Sequence, residues 1–242
     1  WFEILSEKNE DEFEFIKFPF NDPLYILYSS GTTGKPKCII HSAGGTLIQH
    51  IKEHRYHCDM QENDRIMYFT TCGWMMWNWM VTALASKVTL VLYEGSPIFP
   101  NPLILFEIAE NEKLSFFGAS AKYIDSLNKL KIQPNEKNNY DKLRVFASTG
   151  SPLAPKSYDW VYSNVKKDLQ LSSISGGTDI VACFVHGNPC LPVKRGEIQC
   201  SSLGMDVQSW DDSGLRIFDL PGELVCINSF PSIPLGFWND ED

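Results

Sequence analysis

The stretch Leu24-Tyr25-Ile26-Leu27-Tyr28-Ser29-Ser30-Gly31-Thr32-Thr33-Gly34-Lys35-Pro36-Lys37 passes from an apolar run directly into a loop of hydroxyls, glycines and lysines. Its first four residues have the apolar, β-favouring character of a strand. In the loop, glycines let the backbone approach an anion, amides and hydroxyls donate to its oxygens, and lysines offset its charge. The stretch predicts a strand that ends in a phosphate-cradling loop, with a nucleotide as ligand.

The common phosphate loop is excluded. It needs a Gly-Lys pair followed at once by a Ser or Thr that opens a helix. Here Pro36 follows Lys35, removing a donor and turning Lys35 away from helix, and the glycine spacing is too short. Taken alone, the loop also reads as a ligand-free Gly/Ser/Thr hairpin turn. Two lysines without neighbouring carboxylates favour the anion site.

Composition narrows the class. A chain of 242 residues with 43% apolar and 13% aromatic content can bury an extended core. A net charge of -9, with no dense Lys/Arg block, argues against a nucleic-acid or anionic-membrane surface and leaves small-molecule chemistry. The seven cysteines are scattered without a C-x-x-C pair, which suits reduced, mostly buried thiols in a cytoplasmic protein. No secretory signal or membrane span is visible. The chain starts at Trp1 and stops at Asp242 without a closing element, so both ends look cut from something longer.

After the loop, residues 39–55 carry apolar positions at helical spacing, with Ser42 as a cap. A helix following the phosphate loop is therefore expected. Beyond it, strand runs at 65–70, 88–93, 115–118 and 143–148 alternate with helical runs at 74–85, 102–111 and 121–129. Repeated β-α units predict an α/β fold, a mostly parallel sheet layered with helices, whose ligands lie at the carboxyl ends of strands. From about residue 193 the texture shifts to short runs such as 196–200 and 222–226, which predicts a smaller β-rich, barrel-like subdomain. The expected organisation is a lead-in segment at 1–22, an α/β nucleotide- and acyl-binding subdomain at 23–192, and the β-rich part at 193–242.

Two further motifs fall where strand runs end: Ser148-Thr149-Gly150-Ser151-Pro152-Leu153 and Ser175-Gly176-Gly177-Thr178-Asp179. Each alone is an ordinary turn. Their order after the first loop resembles the adenylate-forming superfamily of acyl-CoA synthetases, luciferases and peptide-synthetase adenylation domains. The signature of that superfamily is Ser/Thr-Ser-Gly-Ser/Thr-Thr-Gly-x-Pro-Lys, and Cys38 stands where many members have glycine.

The resemblance implies roles. Ser30, Gly31, Thr32, Thr33, Gly34 and Lys37 would hold the ATP polyphosphate, and Gly150, Ser151 and Pro152 would lie along adenine and ribose. Ser175 and Thr178 would contact phosphate or acyl-adenylate, and Asp179 would be the Mg2+ ligand in place of the usual Glu. Lys37, Thr178 and Asp179 form the expected catalytic set.

Within the superfamily, Thr71-Cys72-Gly73-Trp74-Met75-Met76-Trp77 matches an acyl-pocket wall of acetyl-CoA synthetases. Gly176 falls where those enzymes carry a tryptophan that closes the pocket floor. The implied pocket is Trp74, Met75, Met76, Gly176 and Gly177, open to an acid longer than acetate, whereas Trp77 and Trp79 read as core. The wording is closest to the acetoacetate-CoA ligases, implying ATP, Mg2+, acetoacetate and coenzyme A. Another short- or medium-chain acyl-CoA synthetase and a non-catalytic nucleotide-binding piece are the alternatives. Amino-acid activation is disfavoured, since the pocket offers no carboxylate for an ammonium. In the family a ribose-binding aspartate and a C-terminal lysine would lie beyond residue 242, so the chain alone is expected to be weak or inactive. His41 reads either as a neighbour of the site or as a packed histidine.

Overall fold

The computed structural model describes residues 14–29, 34, 36–136 and 138–239. Five parallel strands form the central sheet, in the order β4-β3-β5-β6-β7: β3 (Arg65–Tyr68), β4 (Thr89–Leu90), β5 (Phe116–Ser120), β6 (Val145–Thr149) and β7 (Gln170–Ser173). Helices α2 (Met75–Thr82), α3 (Ile104–Asn111), α4 (Ala121–Lys129) and α5 (Pro155–Asn164) connect or flank them, as the alternation of patterns predicts.

Strand residues point alternately to the two faces of the sheet. Met67, Phe117, Phe146 and Leu171 face a cluster built with α3, α4 and α5. Ile66, Tyr68, Phe116, Val145 and Ala147 face a second cluster with Met76, Trp79 and Met80 of α2 and with Cys58 and Cys183.

The remaining strands form three small antiparallel sheets. In the first, β1 (Pro23–Ser29) pairs with β2 (Lys37–Ser42), which also takes β14 (Gly236–Phe237). The second is β8 (Ser175–Gly177), β9 (Ala182–His186) and β10 (Cys200–Ser201). The third is β11 (Val207–Trp210) with β12 (Arg216–Ile217) and β13 (Glu223–Cys226). Pairing of β10 with β9 and of β14 with β2 carries hydrogen bonds across residue 193 in both directions.

Four expectations are corrected. The helix expected at 39–55 starts later: the loop joins the antiparallel strands β1 and β2, and helix α1 (Ala43–Lys52) begins only after β2. Residues 37–42 satisfy their backbone groups on two neighbouring strands, which outweighs the helical spacing of their apolar positions. Ser42 does cap α1, accepting from Gly45 N at 3.2 Å. The strand expected at 196–200 reduces to Cys200–Ser201, since Gly196 takes φ +82° and breaks the run. The strand expected at 88–93 pairs only over Thr89–Leu90. The cysteines, expected to be mostly buried, are so only at Cys58 and Cys183; Cys38, Cys200 and Cys226 are half-buried and Cys72 and Cys190 exposed, and all seven are free thiols.

Candidate functional site

One cavity of about 540 Å³ opens where β6 and β7 end. This is the carboxyl edge of a parallel sheet, where loops leave the strands and backbone groups are free to meet a ligand. Its floor and one side are Thr149, Gly150, Ser151, Pro152 and Leu153 after β6, with Ser173 and Ile174 after β7. Thr149 Oγ1 donates to Ile174 O at 3.0 Å and ties these two exits together. Gly150 has φ +87°, which lets the chain turn sharply out of β6.

A second side is the start of α2. Trp74, Met75 and Met76 line the cavity, and the Trp74 ring is 69% exposed, free to meet a ligand. Trp79 instead is fully buried against Phe116, and Trp77 packs partly buried on the same cluster, as expected of core residues. The third side is formed by Ser175, Gly176 and Gly177 of β8 and by Thr178 just after it, backed by Cys183 of β9.

Gly176 lines the cavity, and its lack of a side chain has a further cause. A Cβ there would lie 2.0 Å from Ala182 O and 2.5 Å from Cys183 Cα. The close approach of β8 to β9 therefore requires glycine at this position.

Three of the expected residues that the structure describes, Asp179, Lys37 and Gly34, stand apart from the lining. Asp179 is exposed, its Oδ2 beside Gly177, 3.2 Å from where a Cβ on that glycine would sit. An exposed carboxylate at the rim suits a mostly hydrated Mg2+, which keeps its waters and takes one or two hard oxygens from protein. Lys37 opens β2, exposed, with Nζ 5.2 Å from the Phe237 ring centroid. Ser30, Gly31, Thr32 and Thr33 lie outside the described residues, and Gly34 is exposed with open space about it.

The β1-β2 hairpin reaches the third motif through His41. This ring is buried, and burial lowers its pKa; the Thr178 backbone and the Asp179 carboxylate oppose that shift. Neither ring nitrogen makes a hydrogen bond of ordinary geometry.

Several lining residues have no signal in the sequence: Tyr158, Cys183, Gly196 and Ile198 meet the cavity only because α5, β9 and the 193–199 segment fold against it. Tyr158 donates to Glu197 O at 2.8 Å, fastening that segment. Ser173, at the end of a parallel strand, is open to the carboxyl-edge rule.

Behind the α2 and β9 walls lies a buried polar layer. All five histidines of the chain are buried, at 41, 50, 54, 57 and 186. His50, Glu53, His54 and His57 recur at i, i+3, i+4, i+7 along α1 and the π-helical turn Glu53–His57, a polar stripe with the spacing of a buried face. Burial pushes the pKa of His50 down to about 4, and those of His54 and His186 well below the usual value. His57 donates from Nδ1 to Gly187 O at 2.6 Å and accepts at Nε2 from Leu203 N at 2.9 Å, which holds it neutral.

Comparison with known proteins accords with this arrangement. The family described as "AMP-binding enzyme" matches residues 4–230. The chain is 56% identical over 228 residues to an acetoacetyl-coenzyme A synthetase of Rhizobium meliloti (strain 1021), covering 94% of this chain and 35% of that protein. It is 50% identical to the acetoacetyl-CoA synthetase of Gallus gallus over 231 residues, 96% of this chain and 35% of the relative. Among solved structures, acetoacetyl-CoA synthetase from Streptomyces lividans superposes with a TM-score of 0.91 at 42% identity, covering 99% of this chain and 37% of that one. The chain thus spans about a third of the length of these relatives. With the match running over most of its length, the chain belongs to the AMP-binding enzyme family.

Proposed function

We propose that the complete polypeptide carrying this chain activates a short β-keto carboxylic acid, acetoacetate, with ATP and passes the acyl group to coenzyme A. The observation that carries this reading is the single cavity that unites Gly150, Ser151, Pro152, Ser175 and Thr178 with Trp74, Met75, Met76, Gly176 and Gly177. Nucleotide-side and acyl-side residues, far apart in sequence, share one space.

In this reading the acid's carboxylate oxygen attacks the α-phosphorus, the bond to the β-phosphate oxygen breaks, and pyrophosphate leaves. The coenzyme A thiol then loses its proton and attacks the acyl carbon, and AMP leaves. The carboxylate is already ionised, so no general base is needed for the first step. Catalysis rests on aligning two anions and offsetting charge on the transferring phosphorus. Lys37 and Thr178 would contact phosphate oxygens, and the loop 30–34 would enclose the polyphosphate. Asp179 would hold Mg2+, whose charge, when bound, neutralises the phosphate oxygens.

No Asp or Glu lines the cavity among the described residues, which favours an uncharged acyl tail over an amino acid. No helix among the described residues is long and apolar enough to cross a membrane. The free thiols favour a reducing, cytoplasmic setting.

Pyrophosphate exchange by the complete polypeptide, measured across acetate, acetoacetate, 3-hydroxybutyrate and branched acids, tests the proposal. Acetoacetate is expected to give the highest kcat/KM; a preference for acetate or a longer straight-chain acid would overturn it. The 242-residue chain assayed alone is expected to be weak or inactive.

A further inference from the structure

Glu53 is the one carboxylate fully buried among the described residues. A buried carboxylate is costly unless its oxygens are occupied, and here both are. Oε1 accepts from Cys183 N at 2.9 Å and Oε2 from Trp79 Nε1 at 2.9 Å, with Lys52 Nζ 3.7 Å from Oε1.

These two donors belong to opposite walls of the cavity. Trp79 follows Met75 and Met76 by one turn on α2, so holding its indole holds the helix face that carries both methionines. Cys183 lines the cavity itself and is paired with Gly176 across the β8-β9 ladder. The ladder is irregular at that point: Ser175 faces Val185 while Gly176 faces Cys183, leaving one extra residue on β9. Glu53 takes the Cys183 amide at this bulge, where strand pairing alone defines position least.

A metal is a competing use of this cluster, since Glu53, Cys183 and His186 place ligand atoms within 4.8 Å of one another. Two features oppose it. Gly187 N donates to His186 Nδ1 at 2.8 Å, leaving the ring proton on Nε2, which faces Cys58 Sγ at 4.0 Å. The Lys52 ammonium already supplies the positive charge next to Glu53.

We propose that Glu53 is a positioning residue that clamps α2 to β9 and thereby sets the width of the acyl end of the cavity. The proposal rests on the acyl-activating reading of that cavity. Among the described residues the polar partners of the Glu53 carboxylate are Trp79, Cys183 and Lys52, none of them on the nucleotide side, so its loss should act on the acid and spare ATP.

The test is Glu53→Gln in the complete polypeptide, an isosteric change that turns one of the two acceptors into a donor facing an N–H. KM for acetoacetate is expected to rise about tenfold while KM for ATP stays within about twofold, with discrimination among acids relaxed. Trp79→Phe, which deletes the indole N–H, should shift the acid KM in the same direction by less. Amide hydrogen exchange, read without any substrate, should quicken at Cys183 and in α2 for Glu53→Gln, ahead of the central strands. Equal losses for acid and ATP, or uniformly faster exchange with a lowered Tm, would mean a merely structural role and overturn the clamp. An inactive wild type on acetoacetate would sink the functional reading instead, and exchange at Cys183 would still judge the clamp by itself.

Discussion

Both faces of the central sheet are covered by apolar clusters, but only one of the two is backed by a buried polar layer. On one face Phe106 sits among Phe117, Phe146, Tyr123, Tyr140 and Trp160 at ring separations of 5.3–6.4 Å, and the Phe117 and Phe146 rings stack at 4.9 Å. On the other, Phe116 and Tyr68 meet Trp79, whose other side faces His54 at 4.3 Å and Glu53 at 2.9 Å. The aromatic face gains stability from area removed from water, a term indifferent to pH. The histidine face holds ionisable groups uncharged, so its contribution varies with pH, and it backs two walls of the cavity. The first face contributes stability at any pH, and the second is backed by groups whose contribution depends on it.

Removing a ring from the aromatic face should give the largest effect. Phe106→Ala is expected to destabilise by about 3 to 5 kcal/mol in urea unfolding, with the loss unchanged between pH 8 and pH 5. A loss that grew on acidification would erase the contrast between the faces.

Acidification should act on the other face. Each buried histidine has a folded pKa below its unfolded value of 6.5, so the unfolded chain binds more protons once pH falls through 6.5. The histidine contribution is therefore complete above pH 6.5 and declines toward pH 4; His50 alone, with a pKa of about 4, accounts for about 3 kcal/mol of that decline. Glu53 works in the opposite sense, since burial raises its pKa and the folded chain gains its proton first on acidification. Four further histidines against one carboxylate make the net sign a loss. A urea midpoint flat from pH 7 to pH 5 would contradict this, and His50→Gln should reduce the slope.

The smallest effect concerns the seam between the histidine layer and the cavity. Gly176→Ala places a methyl against Ala182 O and is expected to cost about 1 to 3 kcal/mol by thermal unfolding. A neutral outcome would show that β8 yields there, and that the glycine serves the cavity rather than the strand contact.

Much of the fold is legible from residue order. Helix α4 lies at the predicted residues 121–129, and β3, β5 and β6 lie where β-rich runs alternate with helical ones, because a buried parallel strand and an amphipathic helix leave different periods in sequence. The motif around Gly150 is legible as a loop at a strand end, whereas Ser175–Gly177 of the third motif, which reads as a turn, forms strand β8. Residues 37–42 mislead, since a run paired on two neighbouring strands keeps the same apolar residues a helix would use. The stripe His50, Glu53, His54, His57 carries no local signal of burial, because polar residues at buried-face spacing resemble an exposed face until their partners are known.

The β-α alternation, the candidate loops and their order are written in residue order, since local propensity and period are carried within a few residues. It takes the packed fold to bring α2, β6, β8 and β9 to one cavity and to set Glu53 between Trp79 and Cys183. Those contacts pair residues 26 and 130 positions apart, and no local rule reaches that far: a buried polar group finds its partner through the packing of whole elements.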